Sequence, residues 1–570
     1  MANETKNIGE IFHQRVFRIP DYQRGYSWTD QHRNAFWEDL LLLLKIGGGV
    51  HHYTGLIAIE SLSLERARSV LSEGDLWLLS GNTTLCMVVD GQQRLTTLIL
   101  FIHELLARHA ELVPDEHAGL NATTRRVDVE RTFIRKESLA VPGHFGYMFG
   151  YANNDSMDGF FRSAILGDTT LIVGGVPTSA YARQLNVAKA FFRTKFQSFD
   201  RPDELAKWFD LLQSRLLFNV FEVKDEFDVC LTFEAMNNRG KVLTDLEKLK
   251  SRVLYLSGLS ANKSIDLAIR TQQMAHYRRA INDAWTKTYE VLGWTEGGVL
   301  DDDKFLQMAW VLRYGKPGES RNSHLFSELF TAQRALDGDV WPDISTFSKD
   351  LATLAAPWAV IERPREATSL RQRGWLAADV PEDIVSRLER LNQLDVSNFA
   401  PLLTAGLVHF QTKEISAERF MSLIAGVERY AMLVFGLAER QANTDRNVFM
   451  RMASELYQAP SNILNTLEYL ETQSNFRYEP ELFETRIRSR QIPGGSQRGF
   501  YDWDCLKYAL YEYEVDLRES RFSRDTPKLS FRMLQQQTEL IQSIEHIFPQ
   551  TPKMASGPAS RRSTGPILCW

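Results

Sequence analysis

Length, composition and charge set the first limits. The chain has 570 residues, of which 44% are hydrophobic and 24% charged, as in ordinary globular proteins. This length exceeds what one hydrophobic core holds, so we expect roughly two to four domains. A net charge of −6 argues against a protein that coats nucleic acid non-specifically, although a local basic surface remains compatible with it.

Cysteine usage and apolar runs indicate the compartment. The four cysteines lie far apart without a Cys-x-x-Cys pair, which excludes a cysteine-built zinc site and fits a reducing cytosol. No apolar segment follows the polar residues 1–6, and no apolar run approaches the ~18 residues that a membrane span needs. We therefore expect a cytoplasmic protein without a membrane partner.

The first candidate site is a polar and aromatic segment, residues 17–28. Its proline and glycine exclude a regular helix, and the apolar face of the next predicted helix would hold it in place. Tyr22, Gln23 and Arg24 could contact a ligand there. Alternatively, the aromatic residues only pin the loop, and the residue types leave both interpretations open.

Three strands are predicted next, over residues 53–60, 76–79 and 85–89. Leucine and isoleucine residues then recur at helical spacing over residues 95–106. The residues between, Asp90-Gly91-Gln92-Gln93-Arg94, therefore occupy a strand-to-helix turn. Such a turn presents free N–H groups and a helix dipole that suit a phosphate-bearing ligand. The alternative is ordinary Asp-Gly turn chemistry followed by a solvated helical turn.

A further turn carries two cations. A strand is predicted over residues 216–223 and a helix over residues 226–236, and a Thr244-x-x-Glu247 capping box opens the following helix. Arg239 and Lys241 lie at the apex between the two helices and could bind phosphate oxygens. A well-capped exposed turn is the alternative.

The rest of the sequence is mostly helical in pattern. Helical spacing dominates residues 266–471, with loops predicted at residues 297–298, 315–322 and 356–364 and no fixed repeat period. An arginine-rich stretch precedes another predicted helix at residues 506–513. It could face nucleic acid, but such a run more commonly forms a solvated loop.

Three segments in this order resemble one family, the N-terminal domain shared by GmrSD-type modification-dependent restriction systems and the phosphorothioate-sensing defence protein SspE. The resemblance covers roughly the first 260 residues. The matching segments are Ile19-Pro20-Asp21-Tyr22-Gln23-Arg24, Asp90-Gly91-Gln92-Gln93-Arg94-Leu95-Thr96-Thr97, and Phe233-Glu234 with Asn237, Arg239, Gly240, Leu243 and Lys250.

The resemblance and the sequence pattern together predict an α+β protein in four parts. A ParB/sulfiredoxin-like α/β domain that binds a nucleotide and senses DNA would occupy residues 1–260, before a mostly α-helical middle and C-terminal region. Helical spacing predicts a helical domain over residues 261–475, and the Ser-, Pro-, Gly- and Arg-rich composition of residues 551–570 predicts a disordered tail. The resemblance implies a partial HNH-type nuclease domain over residues 476–550 between them.

The resemblance also implies roles for single residues. Asp90 would position water or a metal ion, Gln93 would contact phosphate or base, and Arg94 would neutralise phosphate charge. The ligand is expected to be a nucleoside triphosphate (GTP, UTP or CTP) with magnesium. No phosphate-binding loop of the Gly-x-x-x-x-Gly-Lys-Ser/Thr type exists in the sequence to replace this turn. The residues expected to contact the nucleotide are Gly91, Gln92, Tyr22, Gln23, Arg24, Asn237, Arg239 and Lys241.

A histidine near the C-terminus resembles part of a nuclease site. His546-Ile547-Phe548-Pro549 matches the His-x-x-Pro opening of an HNH domain, in which the histidine is the general base beside a divalent metal. Only 20 residues follow Gln550, too few for the second strand and helix of that site. We expect DNA cleavage to be incomplete or lost unless a partner chain completes the domain.

These features lead to one main functional hypothesis and two alternatives. The main hypothesis is a nucleotide-hydrolysing sensor of modified phage DNA that acts in anti-phage restriction. The first alternative is a nucleotide-gated DNA-binding switch without catalytic activity, and the second is a helical scaffold with remnant motifs. The expected partners are modified phage DNA and either a second copy of the chain or a separate nuclease subunit.

Overall fold

The structure of the protein is a computed structural model. Its described residues form two compact units. The first contains the described residues within 1–385, 398–423 and 445–467, and the second those within 386–397, 424–444 and 468–570. The structure describes residues 4–46, 51–115, 117–152, 157–171, 179–223, 243–261, 266–294, 298–316, 320–338, 340–394, 397–438, 440–441, 443–477, 481, 484–485 and 506–521.

The N-terminal region is built on strands whose apolar residues are buried between helices. The strands are β1 Glu4–Lys6, β2 Arg15–Ile19, β3 His52–Ser61, β4 Thr84–Asp90, β5 Arg135–Glu137, β6 Phe145–Tyr147, β7 Phe149–Tyr151 and β8 Leu216–Glu222. Six of them form a mixed sheet in the order β1-β8-β3-β4-β2-β7, and β5 pairs with β6. The predicted strands over residues 53–60, 85–89 and 216–223 are thereby confirmed.

Strand direction brings the two candidate segments together. β2 runs parallel to β4 and β7, whereas β3 runs antiparallel to β4 and parallel to β8. Because the carboxyl ends of parallel strands meet at one edge of a sheet, the segment after Ile19 and the turn after Asp90 emerge side by side.

Helices cover the sheet and supply an aromatic core. Trp37 stacks on Trp208 with ring centroids 4.4 Å apart, and Phe101 packs edge-on against Phe196 at 5.0 Å. Phe101 lies in the helix that follows Asp90, so its contact holds that helix against the one that carries Phe196. The helices of this region are α1 Ile8–Phe12, α2 Asp30–Ile46, α3 Leu64–Arg68, α4 Gln92–Leu112, α5 Arg126–Phe133, α6 Met157–Phe160, α7 Ala180–Gln197 and α8 Pro202–Arg215.

Beyond Glu222 the described residues contain helices and no strand, which confirms the α+β fold class with a helical remainder. None of the described helices is both long and apolar enough to cross a membrane. The helices are α9 Asp245–Ala261, α10 Leu267–Trp294, α11 Asp302–Tyr314, α12 Ala332–Asp337, α13 Val340–Glu362, α14 Ala367–Gln372, α15 Glu382–Leu391, α16 Ala400–Gln411, α17 Ala417–Tyr430, α18 Arg446–Gln458, α19 Ile463–Arg477 and α20 Leu506–Arg521.

Charged side chains link segments of the second unit. Arg390 donates to Glu512 of α20 at 2.9 Å and lies 3.8 Å from Glu428, which also accepts from the Tyr508 hydroxyl. The helix predicted near residues 506–513 is confirmed by α20. The predicted domain limits at residues 260, 475 and 550 and the ParB-like relationship stay predictions.

Two predicted elements are wrong. Residues 76–79 belong to a 3-10 helix, Glu73–Leu79, rather than a strand, because a short apolar run does not distinguish the two structures. The loop predicted over residues 356–364 largely continues α13, which passes through Pro357 and ends at Glu362. Burial of Trp358 and Ile361 stabilises the helix there despite the missing N–H of the proline.

Candidate functional site

The predicted strand-to-helix turn is present at the end of β4. Asp90 is the last residue of the strand, and Gly91 precedes α4 with φ 92° and ψ 6°. A Cβ at Gly91 would lie 3.1 Å from both the Leu56 carbonyl oxygen and the Ile57 Cγ1. The left-handed backbone and the close approach of β3 both require glycine at this position.

The helix start presents backbone N–H groups beside the turn. The Leu95 N–H donates to the Gly91 carbonyl at 3.0 Å, so the N–H groups of residues 92–94 have no acceptor within the helix. The Gly91 N–H donates to Asp90 Oδ1 at 2.7 Å. The positive end of the α4 dipole therefore lies next to the Asp90 carboxylate.

The Asp90 carboxyl group is partly buried, and its pKa is raised. Burial raises its pKa above the usual range, although the Gly91 N–H bond and the positive charges of Arg94 and Arg24 oppose this effect. Two guanidinium groups thus act on one carboxylate. A carboxylate with a raised pKa accepts a proton more readily than an exposed one, as a general base must.

Arg94 is held by β3. Its Nη1 donates to the Leu56 carbonyl at 3.0 Å, and its guanidinium lies against Gly55, where an added Cβ would be 3.0 Å from Cζ. Gly55 has φ +126°. Gly55 was not among the residues predicted from the sequence, although a lone glycine within a strand pattern indicates a bulge or a close contact.

Gln92 and Gln93 join the helix to the segment that follows β2. The Gln92 Nε2 donates to the Arg24 carbonyl at 2.9 Å, and the Gln93 Nε2 donates to the Gly25 carbonyl at 3.0 Å. The Gln93 Oε1 accepts from the Ser27 N–H at 2.8 Å. Their expected contacts with phosphate or base stay predictions, and both amides bind backbone groups of the loop here.

Gln23 joins the same loop to β4. Its Nε2 donates to the carbonyls of Val88 and Val89 at 2.5 and 2.7 Å, and the residue is 3% exposed. Such a buried amide with backbone partners fixes the loop against the strand.

Tyr22 contacts both α9 and an apolar cluster beside the sheet. Its carbonyl accepts from the Ser251 hydroxyl at 2.8 Å, which links the loop to α9. Its side chain is partly buried and packs against a small apolar cluster. The cluster consists of Ala58, Val89, Val223 and Leu243.

Arg24 lies between two acids. Its Nη1 is 3.8 Å from the Glu247 Oε2, both side chains are 7% exposed, and its charge also acts on Asp90. Glu247 accepts from the Tyr181 hydroxyl at 2.8 Å and from the Thr244 N–H at 2.9 Å. The Thr244 Oγ1 in turn accepts from the Glu247 N–H at 3.2 Å, which confirms the predicted capping box.

The structure therefore brings Asp90, Gly91 and Arg94 together with the loop 22–24. Asn237, Arg239, Lys241 and His546 lie outside the described residues, as does the helix predicted over residues 226–236. Within the described ranges, no group of three His, Cys, Asp or Glu side chains could hold a metal ion. The expected magnesium stays a prediction.

Comparison with known proteins finds a similarity in the N-terminal region. Residues 8–254 match the family described as "GmrSD restriction endonuclease, N-terminal domain". This span contains both the turn at Asp90 and the loop after β2. A search of curated proteins found no match. Residues 8–254 of this chain are therefore similar to the N-terminal domain of GmrSD restriction endonucleases, which supports a restriction protein of the GmrSD type.

Proposed function

We propose that the turn at Asp90 binds and hydrolyses a nucleoside triphosphate and that this reaction is coupled to the sensing of modified phage DNA. The family match supports the restriction-type role and DNA as the partner. The observation that carries the nucleotide proposal is a partly buried carboxylate beside Arg94 at the start of α4.

The residues of the turn suit a phosphate chain. The N–H groups at the start of α4, the Arg94 guanidinium and the Arg24 charge all favour an anion at this place. Gly91 lets the start of α4 pack closely against β3, because it lacks a side chain. These groups would bind the phosphates, with Arg94 neutralising the charge that develops during transfer.

Asp90 would supply the proton-accepting group. Its raised pKa favours uptake of a proton from the attacking water, and the Gly91 N–H bond fixes one carboxylate oxygen. A magnesium ion that neutralises phosphate charge would be held mainly by the phosphates and water, which leaves the Asp90 carboxylate to accept the proton.

The loop 22–24 would connect this site to DNA sensing. Gln23 binds β4, and Gln92 and Gln93 bind the loop backbone, so a shift at the start of α4 must displace the loop. The loop that carries Tyr22, Gln23 and Arg24 would pass this shift on to the surface that senses modified DNA, because Gln23 and the Arg24 side chain are themselves buried.

The test is phosphate release from GTP, UTP, CTP and ATP by the full chain, with and without modified phage DNA. Asp90→Asn keeps the acceptor for the Gly91 N–H, and Arg94→Ala removes the guanidinium. We expect each change to lower turnover by about 100-fold or more. Asp379→Asn and Arg201→Ala are matched controls, because these side chains are 90% and 64% exposed. No turnover, or turnover that both site variants retain, would contradict the proposal.

The alternative is a nucleotide-gated DNA-binding switch. It is favoured by the hydrogen bonds of Gln92 and Gln93, which couple a movement of the turn to a movement of the loop after β2. It requires nucleotide binding that changes DNA affinity without phosphate release, measured by titration of labelled DNA in the presence of each nucleotide. Absence of any nucleotide binding would leave the scaffold interpretation.

A further inference from the structure

The contact between Gly55 and Arg94 depends on an irregularity in β3. The pairing of β3 with β8 joins Tyr53 to Leu217 and Gly55 to Phe218, so Thr54 is an extra residue. Gly55 has φ +126°, a backbone conformation that other L residues rarely adopt. The bulge therefore turns the backbone at Gly55 towards α4.

The Arg94 guanidinium lies flat on this backbone. A Cβ at Gly55 would lie 3.0 Å from Cζ, 3.1 Å from Nε and 3.3 Å from Nη2 of Arg94. Similar distances to three atoms of the planar group place Gly55 over its face rather than at its edge. The adjacent carbonyl of Leu56 accepts from Nη1 at 3.0 Å.

One edge of the guanidinium remains available. Among the described residues the only hydrogen bond of this group is the one from Nη1 to Leu56, so the Nε–Nη2 edge carries two N–H donors towards other partners. This edge matches two oxygens of one phosphate in the bidentate geometry that arginine favours.

We propose that Gly55 is a positioning residue, which together with the Leu56 carbonyl orients Arg94 so that its Nε–Nη2 edge binds two oxygens of a single phosphate group. The proposal rests on the proposed function, since it requires a phosphate ligand at the turn. A methyl group at residue 55 displaces the guanidinium and tilts the edge away from the phosphate.

The test is a double-mutant cycle on ligand binding with Gly55→Ala, Arg94→Ala and the double variant. The probes are GTP and inorganic triphosphate, measured by calorimetry with the full chain. We expect Gly55→Ala to weaken binding about tenfold and Arg94→Ala about tenfold or more. The double variant should bind like Arg94→Ala alone, because Gly55 acts through Arg94. Arg94→Lys keeps the positive charge but loses the paired N–H donors of the guanidinium. Its affinity for both probes should therefore resemble that of Gly55→Ala.

Two further measurements separate positioning from general strain. Gly81→Ala is the matched control, because Gly81 has φ +72° and nothing lies within 4 Å of an added Cβ. It should leave binding unchanged. In urea unfolding, Gly55→Ala should destabilise the wild-type background more than the Arg94→Ala background.

The outcomes distinguish the two proposals. Binding with additive losses in the cycle would overturn the role of Gly55 and leave the proposed function standing. Absence of binding by the wild-type protein would overturn both, even if the unfolding cycle still showed the contact between residues 55 and 94.

Discussion

Arg278 donates to both carboxylate oxygens of Asp21, with 3.1 Å from Nε to Oδ2. Asp21 is 1% exposed, and Asn282 adds a third donor at 3.0 Å. Burial alone would raise the pKa of Asp21, but the Arg278 charge and hydrogen bonds lower it below its usual range. α10 thus fixes the loop that carries Tyr22, Gln23 and Arg24.

Arg278→Met should strongly destabilise the protein. The substitution leaves a buried carboxylate without its cation, which typically costs about 3–5 kcal/mol. Urea unfolding at pH 7 measures the loss. The contribution of Asp21 is present above its unfolded pKa of 3.8 and is lost as the pH falls through the lower folded value. The difference between variant and wild type should therefore shrink in acid.

The control for this variant is an exposed ion pair. Arg125 lies 2.7 Å from Asp128, but their side chains are 56% and 41% exposed. Arg125→Ala should lower the free energy of unfolding far less than Arg278→Met does, because water screens an exposed pair. Equal losses in the two variants would contradict a special role for the buried pair.

Gln93→Glu should loosen the loop. The new side chain keeps an acceptor for the Ser27 N–H. Its other oxygen replaces the amide group that donates to the Gly25 carbonyl in the wild type, so two oxygens would then face each other. We expect a loss of about 1–3 kcal/mol and faster amide exchange over residues 24–27. Gln333→Glu is the control, since that exposed amide donates to Asp337, four residues further along α12, and holds no loop. Unchanged exchange in Gln93→Glu would refute the link.

Asp302→Asn should alter the pH dependence of stability. Burial first, and the charge of Glu247 second, raise the pKa of Asp302 to about 7. A raised folded pKa of an acid means that stability falls as the pH rises from the unfolded value through the folded one. The variant, which keeps an acceptor for the Thr244 hydroxyl, should be more stable than wild type at pH 8. At about 1.4 kcal/mol for each pKa unit, the gain is at most about 4 kcal/mol.

Thermal and urea unfolding between pH 4 and pH 9 test this expectation, and the gain should vanish near pH 4. Asp301→Asn is the neighbouring control, because Asp301 caps α11 from an exposed position and asparagine caps equally well. A gain for Asp302→Asn that is constant with pH would show that charge is not its cause.

Asp90→Asn should separate stability from activity. Since burial raises the pKa of Asp90, its ionised form destabilises the folded state at neutral pH. The variant should therefore unfold at higher urea concentration than wild type at pH 7–8, while phosphate release is lost. The stability gain should disappear in acid, where both side chains are neutral. Lower stability at pH 8 would contradict this account of the carboxylate.

Local patterns explain which parts of the site could be predicted from the sequence. The apolar run before Asp90 and the helical spacing after Arg94 are determined by neighbouring residues, so the turn was predicted correctly. The capping box at Thr244 is local as well, and its two reciprocal bonds are present. Elements with such short-range signals need no knowledge of the fold.

Other parts of the site depend on contacts between distant segments. Arg278 and Asp21 are 257 positions apart in the sequence. The contact between the Gly55 backbone and the Arg94 guanidinium exists only because β3 pairs irregularly with β8. The polarity of a residue also does not show whether its side chain binds a ligand or another part of the protein. Gln92 and Gln93 have the residue type of ligand contacts, yet their amides bind a backbone 68 positions away.

The strand order also determines when the site can be completed during synthesis. β8 lies between β1 and β3 in the sheet but is the last of the six strands to leave the ribosome. Until then β3 has an open edge that other chains can pair with. Synthesis of residues 62–215 takes about 10–30 s at ordinary translation rates.

The first half of β3, with Gly55, pairs only with β8 in the described sheet. The nascent chain therefore contains Arg94 long before β8 is present to fix the Gly55 backbone on which that guanidinium lies. The site can therefore form only after residue 222 has emerged, and until then the open edge of β3 is a place where nascent chains can aggregate.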